Sequence, residues 1–233
     1  LNNLSPERIE QSVAALAASL RRAQMLFIPG GFSGADEPDG SGKFITAVFR
    51  NAAVRAATED LLDRRGGLIL GVCNGFQALI KLGLVPFGKI VDPNPTAPTL
   101  TYNRIGRHQS KIVRTRIVTN RSPWLRYMHP GDIVSVPISH GEGRFIASDA
   151  QLAQLAANGQ IATQYVDAGG RATDQIAYNP NNSAWAVEGI TSPDGRVFGK
   201  MGHSERIGKG LYKNVPGEYD MHLFKAAVAF FKE

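Results

Sequence analysis

The spacing of apolar residues along the first third of the chain alternates between helical and strand patterns. Apolar positions at helical spacing follow Ser5, a typical helix N-cap, and short apolar runs at 25–29 and 67–73 have the length of buried strands. Helical spacing returns over 44–62 and 74–82. The order helix, strand, helix, strand, helix predicts a parallel sheet with helices on its faces.

Strand patterns predominate in the rest of the chain. Strands are predicted at 111–118, 133–139, 161–166, 185–191 and 197–201, and helices at 150–157 and 218–231. The dipeptide Asp194-Gly195 between the last two strands indicates a hairpin. We therefore expect one α/β domain over residues 1–233, built on a mixed, mostly parallel sheet with helices on both faces and a β-rich second half.

Composition excludes several classes of protein. Of the 233 residues, 43% are apolar, which is enough for a sizeable core, yet no apolar run is long enough to cross a membrane. The first residues lack the pattern of a signal peptide. The only cysteine, Cys73, permits neither an internal disulfide nor a cysteine-based metal site. We expect a soluble cytoplasmic protein with no membrane partner and no metal.

The formal net charge of +6 is unevenly distributed, because no acidic residue lies between Asp92 and Asp132. That stretch holds Arg104, Arg107, Lys111, Arg114, Arg116, Arg121 and Arg126. A positive face of this kind is either an ordinary solvated surface or a binding surface for phosphates, nucleic acid or an acidic protein. The stretch has no interleaved aromatic platform and no known nucleic-acid module, which argues against nucleic acid.

The segment Gly71-Val72-Cys73-Asn74-Gly75 joins a predicted strand to a predicted helix. Glycine on both sides permits a cramped turn that exposes the thiol at the carboxyl edge of the sheet, as in a nucleophile elbow. The N-terminus of the following helix favours the thiolate, and the N–H after the nucleophile can face an oxyanion. A lone buried cysteine is more often a small apolar residue, but this context favours a nucleophile.

A nucleophilic cysteine needs a base and a group that orients the base. His203 follows a predicted strand, and Glu205 lies two residues further on, on the same face if the backbone stays extended. His140 and Glu142 have the same spacing after another predicted strand, so the residues alone leave two candidate bases. Surface roles are expected for the remaining histidines, His108, His129 and His222.

Consecutive glycines, Gly30 and Gly31, end the first predicted strand, ahead of a polar, glycine-rich loop at 33–42. Their bare backbone N–H groups suit the close approach of an anionic or carbonyl oxygen, although a simple turn is an equally good interpretation. The spacing and lysine of a phosphate-binding loop are missing.

Together these motifs resemble the class I (triad) glutamine amidotransferases, and most specifically the glutaminase domains of phosphoribosylformylglycinamidine synthase. The segments that carry the resemblance are FIPGGFSGADEPDGSGK, GVCNGFQALIKLGLVP, SHGEGRF and YNPNNSAWAVEGITSPDGRVFGKMGHSER. They extend from about residue 27 to 206, most of the chain, and the resemblance implies a flavodoxin-like α/β fold.

The resemblance also implies a role for each matching residue. Cys73 would attack the side-chain amide of glutamine, His203 would transfer protons and Glu205 would orient His203. The backbone N–H groups of Gly31 and Asn74 would form the oxyanion hole. The implied substrate-binding residues are Gln77, Gly30, His140 and Glu142.

The family releases ammonia to a synthetase domain or subunit that uses ATP and magnesium, so this chain is expected to be the glutaminase half, without a cofactor of its own. Family members place a strand, a helix and another strand ahead of the helix at Ser5, so we expect the chain to be incomplete at its N-terminus. Two alternatives remain open. One is another Cys-His-Glu hydrolase, such as a peptidase or γ-glutamyl hydrolase, and the other is a non-catalytic partner-binding domain.

Overall fold

Strands form one large sheet and one small sheet in the computed structural model, which describes residues 2, 4–31 and 42–232. The strands are β1 Met25–Ile28, β2 Leu68–Val72, β3 Thr99–Thr101, β4 Gln109–Ile117, β5 Ile133–His140, β6 Arg144–Ile146, β7 Ile161–Tyr165, β8 Val187–Thr191 and β9 Val197–Lys200. The large sheet has the order β1-β2-β9-β8-β7-β4-β5, and β3 pairs with β6. The predicted loop at 33–42 lies outside the described residues except for Gly42.

The helices are α1 Pro6–Leu20, α2 Lys43–Arg50, α3 Ala52–Glu59, α4 Asn74–Leu82, α5 Leu84–Phe87, α6 Asp149–Ala157 and α7 Leu223–Phe230. The single helix predicted over 44–62 is wrong, because Asn51 is extended (ψ 133°) and its side chain caps α3. A π-helical turn, Asp60–Arg64, follows α3. None of the helices in the described ranges is long and apolar enough to cross a membrane.

Two predicted boundaries in the second half need correction. The closing helix begins at Leu223 rather than at 218, because the backbone of His222 is left-handed (φ 54°). The strand predicted from 185 begins at Val187, because Trp185 and Ala186 also have positive φ angles, in a short 3-10 turn. Apolar spacing carries no information about such backbone reversals.

The predicted mixed α/β sheet is confirmed, but its pairing is less parallel than expected. The pairs β1–β2 and β2–β9 run parallel, whereas β4–β5, β4–β7, β7–β8 and β8–β9 run antiparallel. Parallel strands need long crossover connections, usually helices. The chain supplies helices between β1 and β2, whereas the connections β4–β5, β7–β8 and β8–β9 contain no α-helix, which fits their antiparallel pairing.

Helices cover both faces of the parallel part, as predicted. A Cβ atom added at Gly199 would lie 2.2 Å from the ring of Phe76, so α4 packs on this face of the sheet. The ring of Phe27 contacts Phe224 of α7, with 5.2 Å between centroids. Phe27 pairs with the residue before Gly71, and Gly71 pairs with Gly199. Successive residues of a strand point to opposite faces, so Phe27 and Gly199 point to opposite faces of the sheet. Helix α7 therefore packs on the face opposite to α4.

The three parallel strands β1, β2 and β9 are neighbours, so their carboxyl ends meet at one edge of the sheet. Gly30 follows β1, Cys73 follows β2 and His203 follows β9. Ligand sites of open α/β sheets lie outside the carboxyl ends of parallel strands. This edge is therefore where the fold brings candidate catalytic groups together.

Candidate active site

Cys73 occupies the turn between β2 and α4 in a strained conformation, with φ 53° and ψ −110°. Such angles are costly for a residue with a Cβ atom and persist where the surrounding structure enforces them. Its N–H donates to the carbonyl oxygen of Lys200 (2.8 Å), and its carbonyl oxygen accepts the N–H of Gln77 (3.0 Å). The predicted strand-to-helix elbow is thus present, with the cysteine at the N-cap of a nine-residue helix.

The glycines on either side make room for this turn. A Cβ atom at Gly75 would lie 2.0 Å from the carbonyl oxygen of Ile28, and one at Gly71 would lie 2.5 Å from a methyl carbon of Leu79. Any larger residue would separate α4 from the strands beneath it. Glycine at both positions is therefore required by the close packing of the elbow.

His203 and Glu205 form a hydrogen-bonded pair beside the elbow, in which the histidine is buried and the glutamate is partly exposed. Nδ1 of His203 lies 2.7 Å from Oε1 of Glu205, and the histidine side chain is only 2% exposed. Burial acts to raise the pKa of the Glu205 carboxyl, but the hydrogen bond from His203 and the charges of His203 and Lys200 outweigh it and hold the pKa below its usual value. The ionised carboxylate keeps the proton on Nδ1, which leaves Nε2 as the basic nitrogen.

Nε2 of His203 is buried and has no hydrogen-bond partner among the described residues. A Cβ atom built on Gly30 would lie 2.5 Å from Cε1 of His203 and 3.1 Å from Cβ of Cys73. Gly30 therefore lies between the imidazole and the cysteine, and the two side chains are close neighbours. Gly31 is exposed and has a φ of 149°, a conformation that favours glycine.

His140, the rival base, is buried in a different environment. Its Nε2 donates to Oδ1 of Asn181 (2.9 Å), because the amide nitrogen of Asn181 donates to Gly143 and Tyr165. Its Nδ1 has no hydrogen-bond partner in the described part of the chain. Burial, partly offset by the bond to Asn181, lowers the pKa of His140 to about 4, so the ring is neutral at pH 7. In the described ranges no carboxylate binds its ring, and the geometry favours His203 as the base.

Gln77 joins the elbow helix to the segment that follows β5. Its side-chain nitrogen donates to the backbone carbonyl of Glu142 (2.5 Å), and both residues are buried. The predicted substrate-binding residues Gln77, His140 and Glu142 therefore lie on connected elements. The side chain of Gln77 is thus held by a bond within the protein.

Three further residues hold this segment, and sequence reasoning assigned them no role. Gly143 donates its N–H to Asn103 (3.2 Å), and its carbonyl accepts from Asn181 (3.0 Å) and Ser183 (3.2 Å). All three polar residues are buried. Asparagine and serine are typical of exposed loops, so their residue types gave no signal of this buried role.

The predicted basic face is largely bound within the chain itself. Arg114 donates to the carbonyl of Ala168 (2.8 Å), and Lys111 donates to the carbonyl of Ala177 (2.6 Å). Arg116 donates to the side chain of Gln164 (3.1 Å). These cations brace segments 164–177, which weakens the case for the stretch as a docking surface. Among the described residues, no cluster of His, Cys, Asp and Glu side chains could hold a metal ion.

A cysteine elbow with a histidine–glutamate pair, where neighbouring parallel strands end, is the arrangement that the resemblance to class I glutamine amidotransferases implies. The chain belongs to the family of CobB/CobQ-like glutamine amidotransferase domains, which it matches over residues 2–231. The class inferred from the sequence motifs is thereby confirmed.

Curated relatives narrow the family further. The chain is 34% identical over 195 residues to phosphoribosylformylglycinamidine synthase subunit PurQ of Synechococcus elongatus. The aligned residues cover 83% of this chain and 75% of the relative. It is 36% identical over 186 residues to the PurQ subunit of Moorella thermoacetica, covering 80% and 71% respectively. The resemblance to the glutaminase of this synthase is therefore confirmed at the level of the family.

Solved structures share the fold. The structure of PurLQS from Thermotoga maritima matches with a TM-score of 0.65 at 24% identity, covering 89% of this chain and 80% of that one. The glutaminase domain of Trypanosoma brucei CTPS, solved with acivicin bound, matches with a TM-score of 0.51 at 16% identity, covering 93% and 75%. At these identities the likeness establishes the fold, and the chemistry depends on this chain's own residues.

Proposed function

We propose that the chain is the glutaminase component of phosphoribosylformylglycinamidine synthase, and that it hydrolyses the side-chain amide of L-glutamine to glutamate and ammonia. The observation that carries the proposal is the position of the His203–Glu205 pair. The basic nitrogen of His203 has no hydrogen-bond partner among the described residues, and the ring of His203 and the side chain of Cys73 border the same space beside Gly30. The glutamine amidotransferase family supplies the substrate class, and the PurQ relatives supply the link to the synthase.

The proposed reaction begins with proton transfer from the thiol of Cys73 to Nε2 of His203, whose other nitrogen is held by Glu205. The N-terminus of α4 stabilises the thiolate, which attacks the amide carbon of glutamine. His203 then gives its proton to the departing ammonia, which leaves a thioester. Water hydrolyses the thioester to glutamate and regenerates the thiol.

Charge that develops on the amide oxygen needs hydrogen-bond donors in place before the reaction. The backbone N–H groups of Gly31 and Asn74 are proposed for this oxyanion hole, because Gly31 follows β1 and Asn74 opens α4 at the same sheet edge. Gln77, Gly30, His140 and Glu142 are proposed to bind the rest of the glutamine molecule.

Ammonia is proposed to pass to a synthetase domain or subunit, which uses ATP and magnesium to convert formylglycinamide ribonucleotide to the amidine. Support comes from the PurQ relatives, which are named as subunits of the synthase. We place this reaction in the cytoplasm, where the single cysteine stays reduced. Neither nucleic acid nor a membrane has a part in the proposal.

Glutamine hydrolysis by the purified protein tests the proposed function, with Cys73→Ala as the decisive variant. We expect Cys73→Ala to reduce glutamate release to background, because no other thiol is present in the chain. Mass spectrometry after treatment with a glutamine-analogue affinity label is expected to find the adduct on Cys73. Full activity in Cys73→Ala would contradict the proposal, and the absence of an adduct would favour another hydrolase on this scaffold.

A further inference from the structure

The strands that lead to His203 carry a second pair of charges, which is completely buried. Lys200 ends β9 and Glu188 lies in the neighbouring strand β8. Nζ of Lys200 is 3.0 Å from Oε1 of Glu188, and both side chains have 0% exposure. Removing two charges from water costs free energy that their attraction often fails to return. Stability alone is therefore a weak explanation for this ion pair.

Lys200 uses its remaining donors on the turn that contains His203. Its Nζ donates to the carbonyl oxygen of Gly202 (2.9 Å) and to the hydroxyl oxygen of Ser204 (2.9 Å). Its own carbonyl oxygen accepts the N–H of Cys73 (2.8 Å). One residue thus contacts both the cysteine elbow and the residues that flank the proposed base.

Glu188 binds the same turn through its carboxylate. Its Oε1 accepts the backbone N–H of Gly202 (2.6 Å), and its Oε2 accepts the hydroxyl proton of Thr163 (2.5 Å). The ammonium of Lys200 therefore binds the carbonyl of Gly202, and the carboxylate of Glu188 binds the N–H of the same residue. A Cβ atom on Gly202 would lie 2.3 Å from a methyl carbon of Val136, so the backbone itself packs closely there.

An apolar pair at positions 188 and 200 would leave the N–H of Gly202 without its partner, and would leave its carbonyl with only the N–H of Ser204 (3.1 Å). Unpaired buried backbone groups are costly, so the turn would shift to find new ones. His203 is the next residue, and its ring must meet both Glu205 and Cys73. The orientation of the imidazole therefore depends on these contacts in addition to the bond from the N–H of His203 to the carbonyl of Pro137 (2.9 Å).

We propose that Lys200 and Glu188 are positioning residues, which fix the turn at 202–205 so that the imidazole of His203 meets the thiol of Cys73. The inference rests on the proposed glutaminase function and extends it to two residues that do not touch the substrate. The charge of Lys200 also contributes to the low pKa of the Glu205 carboxyl.

The double variant Lys200→Met/Glu188→Leu separates positioning from stability. Each single variant leaves one buried charge uncompensated and is expected to lower Tm strongly, whereas removal of both charges is expected to restore most of the Tm. Since a displacement of about 1 Å in a catalytic group costs about 100-fold, the double variant should lose about 100-fold in kcat. Its KM should change little. A wild-type kcat in the folded double variant would overturn the inference.

Two hydroxyl variants decide the question even if the double variant fails to fold. Ser204→Ala and Thr163→Val each remove one hydroxyl that binds the ion pair, but only Ser204 lies in the turn beside His203. We expect Ser204→Ala to lower kcat about tenfold, the value of one hydrogen bond to a charged group. Thr163→Val should stay near wild type. Equal losses in the two variants, or no loss in Ser204→Ala, would overturn the inference.

Alkylation of Cys73 by iodoacetamide, followed by peptide mass spectrometry, gives a readout that does not require glutamine. At mildly acidic pH the rate depends on the fraction of thiolate, which a nearby imidazolium raises. The double variant, or Ser204→Ala to a smaller extent, should slow alkylation in the direction that His203→Ala does. An unchanged rate would overturn the inference. A wild type that hydrolyses no glutamine, with slowed alkylation in the variants, would refute the proposed function and leave the inference standing.

Discussion

Two histidines of this molecule share a local sequence and differ in chemistry. His140 ends β5 and His203 lies just beyond β9, and each is followed two residues later by a glutamate. Both are buried, with 3% and 1% of their surface exposed. His203 binds the glutamate of its own motif, whereas His140 binds the amide of Asn181, which is 41 residues away. The pattern H-x-E therefore does not identify a base until the partner of the ring is known.

The partner determines what each ring can do. A carboxylate on Nδ1 would stabilise the imidazolium that forms if His203 accepts the proton of Cys73 as proposed, as the acid does in Ser-His-Asp triads. A neutral amide offers no such stabilisation, and burial lowers the pKa of His140 to about 4. His140 therefore suits a fixed, neutral contact, and His203 suits proton transfer.

The largest expected effect separates the two histidines directly. His203→Ala should lower kcat for glutamine hydrolysis by about 10³-fold or more, because general acid–base catalysis and activation of the nucleophile are lost together. His140→Ala should keep measurable activity, since it removes a neutral ring that takes no part in the proposed proton transfer. Steady-state kinetics on both purified variants check this. Similar losses in the two variants would contradict the assignment of His203 as the base.

The second largest effect is expected from filling the space beside Gly30, which the ring of His203 and the side chain of Cys73 border. Gly30→Ala would place a methyl group 2.5 Å from the ring of His203, so the ring must move. We expect kcat to fall about 100-fold, as for other displacements of about 1 Å. Gly208→Ala is the matched control, because nothing lies within 4 Å of its added methyl group. A Gly30→Ala variant with wild-type kcat would show that the ring has more freedom than the structure indicates.

The elbow could be predicted from sequence because its determinants are consecutive. Strand, glycine, cysteine, glycine and helix occupy neighbouring positions, and the packing of Gly71 and Gly75 explains why no larger residue stands there. The same local reasoning recovered the N-cap at Ser5 and the hairpin of β8 and β9.

Features that depend on distant contacts could not be predicted in this way. Asn181 and Asn103 fix the segment after His140, yet their residue types suggest exposed loops. The break at Asn51 was missed because apolar spacing continues on both sides of it. The number of antiparallel pairs in the sheet depends on which strands become neighbours. The spacing of residues within a strand does not specify its neighbours. The choice of His203 over His140 belongs to this group.

The smallest expected effect is a pH dependence of stability that comes from His140. The pKa of its ring is about 4 in the folded protein and about 6.5 in an unfolded chain. As the pH falls below about 6.5, the unfolded state binds a proton that the folded state resists, so stability is lost through this window. The contribution should reach about 2 kcal/mol by about pH 5. Urea unfolding should show that the free energy of unfolding falls by about 2 kcal/mol less in His140→Gln than in wild type between about pH 8 and 5. The control is His129→Gln, which replaces a histidine whose side chain is 81% exposed and should leave the dependence of stability on pH as in wild type. If His140→Gln also left that dependence unchanged, His140 would become protonated in the folded protein as easily as in the unfolded chain.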